Sequence, residues 1–66
     1  MTSGEIRFYK GKYRVEVLLK SKGNWRVQAL EFIPTKHDEN GVLTDWICAW
    51  DEFTTVPRLL WRHPRK

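Results

Sequence analysis

The chain has one cysteine, Cys48, so no internal disulfide can form and its 66 residues must hold together by packing alone. It has no run of about 18 apolar residues, which excludes a membrane-spanning helix. The N-terminal stretch MTSGEIRFYKGKYR lacks the apolar segment that a secretory signal carries. With the lone thiol, this points to a reducing, cytoplasmic setting. The four glycines, at positions 4, 11, 23 and 41, stand singly, so there is no glycine-rich phosphate loop. His37 and His63 are remote in sequence from each other and from Cys48, unlike the ligand spacing of structural zinc sites. No metal or cofactor is expected. A trio of Cys48, His63 and Asp45 can be written down, but nothing in the sequence brings the three together. So short a chain also has little room for a substrate pocket, so neither an enzyme nor a small-molecule substrate is expected.

Charge is present in blocks. Met1 to Lys36 carries eight Lys/Arg and three Glu; His37 to Val56 carries five acids and no Lys/Arg; Pro57 to Lys66 carries four Lys/Arg and no acid. The net charge of +4 and pI near 9.6 favour a polyanionic partner, either nucleic acid or an acidic protein surface.

Hydrophobic periodicity gives the secondary structure. EIRFYK (5–10) reads as a strand with Ile6 and Phe8 on one face and Arg7 and Tyr9 on the other, followed by a short turn at Gly11-Lys12. YRVEVLLKS (13–21) alternates, with Tyr13, Val15, Val17 and Leu19 opposed to Arg14, Glu16 and Lys20; Leu18 breaks the pattern. Lys22-Gly23-Asn24 reads as a hairpin turn. WRVQALEFI (25–33) places Trp25, Val27, Ala29 and Ile33 on one face, with Leu30 and Phe32 turned away, a switch that suits a bent or bulged strand. Pro34 should end it, leaving TKHDENG (35–41) as a loop. VLTDWICAW (42–50) and DEFTTVP (51–57) read as the last two strands, and Pro57 opens a single helical turn over RLLW (58–61).

Five short strands without a long helix imply an all-β domain spanning 1–66: a small five-stranded antiparallel barrel with a short C-terminal helical turn and a basic tail at 62–66. In strand number, strand length and that terminal turn the chain resembles the SH3-like small barrels, with an OB-like barrel as the alternative. The paired acidic and aromatic signatures of proline-binding SH3 domains are not in the sequence. In size and basicity it is also similar to the small archaeal chromatin barrels.

Trp46, Cys48 and Trp50 fall two residues apart, on one face of a continuous strand. Ile47 and Ala49 make the other face apolar as well, so this strand reads as central and the three side chains as core.

The candidate binding surface is basic. Pairing about Lys22-Gly23-Asn24, with partners summing to about 46, sets Lys20 opposite Arg26 and Glu16 near position 30. Like charges facing each other in a sheet suggest an external anion. Arg14, Lys20, Lys22 and Arg26 are therefore expected to contact phosphates, with Tyr9 adding a stacking ring and Arg58, Arg62, Arg65 and Lys66 forming a basic arm. The expected function is a non-enzymatic nucleic-acid-binding module. The alternative is a protein-interaction domain or accessory subunit docking through exposed aromatics such as Tyr9, Tyr13 or Trp61.

Overall fold

The computed structural model describes residues 1–65; Lys66, placed above in the basic arm, lies outside the described residues. The chain is all-β. Its strands are β1 (Ile6–Tyr9), β2 (Tyr13–Ser21), β3 (Asn24–Ala29), β4 (Ile33–His37), β5 (Leu43–Ile47), β6 (Glu52–Thr55) and β7 (Leu60–Trp61), with a 3₁₀ turn over Pro57–Leu59. They form two antiparallel sheets among the described residues, one five-stranded in the order β6-β3-β2-β1-β7 and one a hairpin of β4 and β5. The expected single five-stranded barrel, closed or nearly closed, is not found: the strands fall into two sheets, and β6 and β7 are the edges of the larger one.

That sheet is strongly curled. Tyr9 on β1 and Phe53 on β6 are three strand spacings apart, which in a flat sheet would be about 14 Å. Their ring centroids stand only 5.1 Å apart, edge to face. The concave side holds the core: Val15, Val17, Val27, Ala29 and Leu60, all buried, with Tyr9, Tyr13, Trp25 and Phe53 packed around them. The hairpin closes over this side from its base, where Ile33 and Ile47 face each other across the strands and Ile33 is wholly buried. Burying one such aliphatic side chain stabilises by about 1.5–3 kcal/mol, so these few residues carry most of the fold.

Local irregularities decide which way the charged residues face. β2 and β3 pair with sums of 44 up to Val17↔Val27 and of 45 from Leu19↔Arg26 onward. Leu18, the residue that broke the alternation, is the extra residue of a β-bulge between them. Beyond it every side chain of β2 changes face. Leu19, expected in the core, is 52% exposed, and Lys20 pairs with Trp25 rather than Arg26. Glu16 pairs with Gln28, not position 30. The turn itself is tight, with Ser21↔Asn24 closing on Lys22 and Gly23, both at positive φ.

Pro34 does not end a strand. β3 stops at Ala29, and Pro34 sits inside β4 opposite Trp46, which a two-stranded ribbon tolerates because one side of each strand needs no partner. The exposed loop shrinks to the residues around Asp38, whose carboxylate accepts the backbone N–H groups of Asn40 and Val42, each at 2.9 Å.

The core assignment of Trp46, Cys48 and Trp50 is also overturned. β5 ends at Ile47, and Cys48 to Asp51 form a turn closed by the Asp51 N–H on the Cys48 carbonyl. The period of two is therefore broken before Cys48. Trp46 is 49% exposed, Trp50 66% exposed, and Cys48 is exposed.

Candidate functional site

The expected basic face does not assemble. Arg14 and Arg26 do lie on the convex side of the sheet, but each has a carboxylate of its own. The Arg26 Nε donates to Glu52 Oε1 at 2.8 Å, across the β3–β6 ladder. The Glu31 Oε2 accepts the Arg14 backbone N–H at 2.8 Å and lies 3.3 Å from Arg14 Nε. Glu16, at the neighbouring position on that face, adds further negative charge. Lys20, turned by the bulge, shares the face of Trp25 on the opposite side. Lys22 projects from the β2–β3 turn. Tyr9, expected as a stacking ring, packs into the core against Phe53.

The C-terminal segment, by contrast, is not a free arm. β7 pairs with β1 through Phe8↔Trp61 and Tyr9↔Leu60, and the Leu59 carbonyl accepts the Lys10 N–H at 2.7 Å. Past Trp61 the chain bends back, so that the Arg65 N–H donates to the Gly11 carbonyl at 2.5 Å. Gly11, at φ +72, is buried beneath this segment; a Cβ there would lie 2.9 Å from Arg65 Cβ and from Cδ2 and Cε3 of Trp61. Only glycine fits both the backbone angle and the space. Trp61 anchors the segment against Gly11, although its ring is still 41% exposed.

This docking creates a basic end. Lys10, Gly11, Lys12, Pro64 and Arg65 line a cavity of about 350 Å³, and no acidic side chain lines it among the described residues. Lys10 Nζ stands 5.4 Å from the centre of the Tyr9 ring and Lys12 Nζ 5.5 Å from that of Tyr13, so each ammonium rests over an aromatic face rather than on an acid. Arg58 lies one residue before the Leu59 carbonyl that holds Lys10, at the same end. Arg62 and His63 border a second cavity of about 300 Å³ together with Glu5, Ile6 and Arg7. There the charges are mixed: Glu5 accepts a hydrogen bond from Arg7 Nε, and this interaction holds the Glu5 carboxyl below the usual glutamate range.

Of the expected contact residues, then, Arg65 lines the cavity at the β1–β2 turn and Arg58 lies in the 3₁₀ turn beside it, whereas Arg62 borders the mixed-charge cavity at the start of β1. Arg14, Arg26, Lys20 and Lys22 do not join them. Lys20 and Lys22 lie at the far end of β2 from that turn, and Arg14 and Arg26 are held by Glu31 and Glu52. Lys10 and Lys12 were missed. Their sequence signal was the motif YKGKY, a turn glycine between two lysines and two aromatics; what linked it to the tail was the return of β7 beside β1. Among the described residues no cluster of His, Cys, Asp and Glu could hold a metal ion, and no helix is long and apolar enough to cross a membrane. No protein family, curated protein or solved structure matches the chain.

Proposed function

We propose that the protein is a non-enzymatic module that binds nucleic acid at the basic end formed by the β1–β2 turn and the C-terminal segment. One observation carries this reading: Lys10, Lys12 and Arg65 converge on a single cavity whose lining, among the described residues, includes no acidic side chain. Ammonium and guanidinium groups spaced around an open cavity suit successive phosphates, and displacing condensed counterions supplies much of the affinity. Arg58, in the 3₁₀ turn before β7, extends the positive surface. The docked tail makes the cations part of the fold, so little ordering entropy opposes binding. The exposed, unpaired Cys48 fits the reducing, cytoplasmic setting proposed for the chain.

An SH3-like architecture remains the proposed description of the larger sheet. The five-strand order, the curl that brings Tyr9 to Phe53, and the 3₁₀ turn before the last strand support it. Such a barrel would be open between β6 and β7.

The test is a fluorescence-anisotropy titration of labelled single- and double-stranded oligonucleotides at about 50 and 200 mM salt. Three phosphate contacts weaken binding roughly 20-fold for single strands and 40-fold for duplex across that range. The expected result is binding with that slope, lost in K10E/K12E and kept in R14E/R26E. Absence of binding at the lower salt, or loss only in R14E/R26E, would overturn the reading.

A further inference from the structure

The outward side of β1 and β7 carries aromatic surface immediately beside the basic end. Tyr9 and Leu60 pair and turn into the core, so Phe8 and Trp61, the next pair of the same ladder, turn outward together. Ile6, two residues before Phe8 on β1, shares that side and is exposed. Phe8 is half-buried, and Trp61 stays 41% exposed although it anchors the tail. In so small a chain, rings left on the surface forgo much of the available apolar burial.

Trp61 also ties this surface to the cations. Its Cδ2 and Cε3 lie 2.9 Å from where a Cβ on Gly11 would stand, and Gly11 lines the cavity with Lys10, Lys12 and Arg65. The indole therefore borders the place proposed for a phosphate. Past Ile6, at the start of β1, the second cavity mixes Glu5 and Arg7 with Arg62 and His63, so the positive field weakens in that direction. A cationic cavity next to a flat apolar surface matches the two parts of a nucleotide, its charged backbone and its base.

Two features select an unpaired strand over a duplex. A duplex keeps its bases stacked on one another, so aromatic surface gains no base contact from it. The side in question is also the convex one, and two convex bodies meet over a small patch with few phosphates in reach. A single strand bends to follow the surface and can turn its bases onto the rings. Acids limit its path: Glu16 stands opposite Ile6 on β2, and Glu31 holds Arg14 opposite Phe8, which keeps the phosphates to the β7 edge.

We propose that the basic end takes single-stranded nucleic acid, whose phosphates meet Lys10, Lys12 and Arg65 while adjoining bases stack on Trp61 and Phe8. Such stacking presupposes nucleic acid at that cavity; it fixes the strandedness of the ligand and the residues that meet its bases.

The test compares three fluorescein-labelled ligands by anisotropy at about 50 mM salt: an oligo-dT of about ten nucleotides, the same chain with abasic internal positions, and a GC hairpin of the same length. Oligo-dT should bind at least about tenfold more tightly than either of the others. W61L and F8L should each weaken oligo-dT at least about fivefold and leave the abasic chain unchanged, and W61F should restore most of the loss. F8L is the decisive variant, because it leaves in place the Trp61 ring that covers Gly11. Equal binding of oligo-dT and the abasic chain, unchanged oligo-dT binding in F8L, or a hairpin bound as tightly would overturn the stacking site and leave the phosphate cavity standing. No binding of any of the three would overturn both.

Discussion

Arg14 and Arg26 on the convex sheet face and Lys10, Lys12 and Arg65 at the β1–β2 turn are both clusters of cations, but they differ in what stands beside them. The two arginines sit at ladder and margin positions where Glu52 and Glu31 come within ion-pair distance. Among the described residues, the turn cations have rings, a glycine and a proline about them and no ion-pair partner. An exposed ion pair stabilises by about 0–1 kcal/mol, so the first cluster contributes little to the fold and presents little net field. The second keeps its charge available. Where positive charge is free depends on strand register, and counting basic residues in the sequence does not reveal it.

The largest effect should come from removing the contact that builds the basic end. Gly11→Val forces a side chain into Trp61 and Arg65 at a positive φ. Strain and overpacking together should cost about 2–5 kcal/mol. At about 4–8 °C per kcal/mol for a domain of this size, thermal melting should fall by about 10 °C or more. A Gly11→Val protein that melts with the wild type would show that the tail does not pack on the turn.

Next in size is the charge reversal K10E/K12E, which should abolish the 20- to 40-fold salt response expected for three phosphate contacts. The R14E/R26E reversal should weaken nucleic-acid binding by no more than about tenfold and keep its salt slope, because it acts through the field and removes no phosphate contact. A smaller effect sharpens the same contrast from the other direction. E31Q/E52Q frees both arginines, and the added field should tighten oligonucleotide binding by about two- to fivefold at low salt, with stability changed by less than about 1 kcal/mol. If affinity does not move, the convex face lies outside the reach of the ligand.

The smallest effect concerns a third cation. Arg7 has a side chain only 11% exposed and is paired with Glu5, whose carboxyl is lowered chiefly by that hydrogen bond. A lowered carboxyl contributes stability that is complete above its unfolded titration range and is lost as pH falls through the folded value. E5Q should therefore melt below the wild type at pH 7, and the difference should close under acid conditions. A gap that persists unchanged into acid would assign the effect to packing rather than to the charge pair.

Much of the larger sheet is legible in the sequence. The period of two marked Val15, Val17, Val27, Ala29 and Ile33 as core, and Gly23 and Pro57 marked the tight turn and the 3₁₀ turn. Leu18 signalled its bulge by breaking the alternation, but alternation alone does not say which side of the break slips. Lys20 was therefore set against Arg26, one register away from its partner Trp25. At Trp46, Cys48 and Trp50 the pattern misled because a period of two holds only while the strand continues, and this one ends at Ile47. Of the basic end, Arg58 and Arg65 are marked by the basic tail, and Lys10 and Lys12 are not. Their convergence depends on β7 returning to β1, a long-range pairing that local sequence does not encode.

The most direct test of the account is a ¹H–¹⁵N correlation spectrum of the protein recorded during titration with a short single-stranded oligonucleotide. The amide signals of Gly11, Lys12 and Arg65 should shift together and first, leaving Arg26 and Gln28 in place. Shifts centred on Arg14, Arg26 and Gln28, with Gly11 and Arg65 unmoved, would contradict it and return the binding surface to the convex face of the sheet.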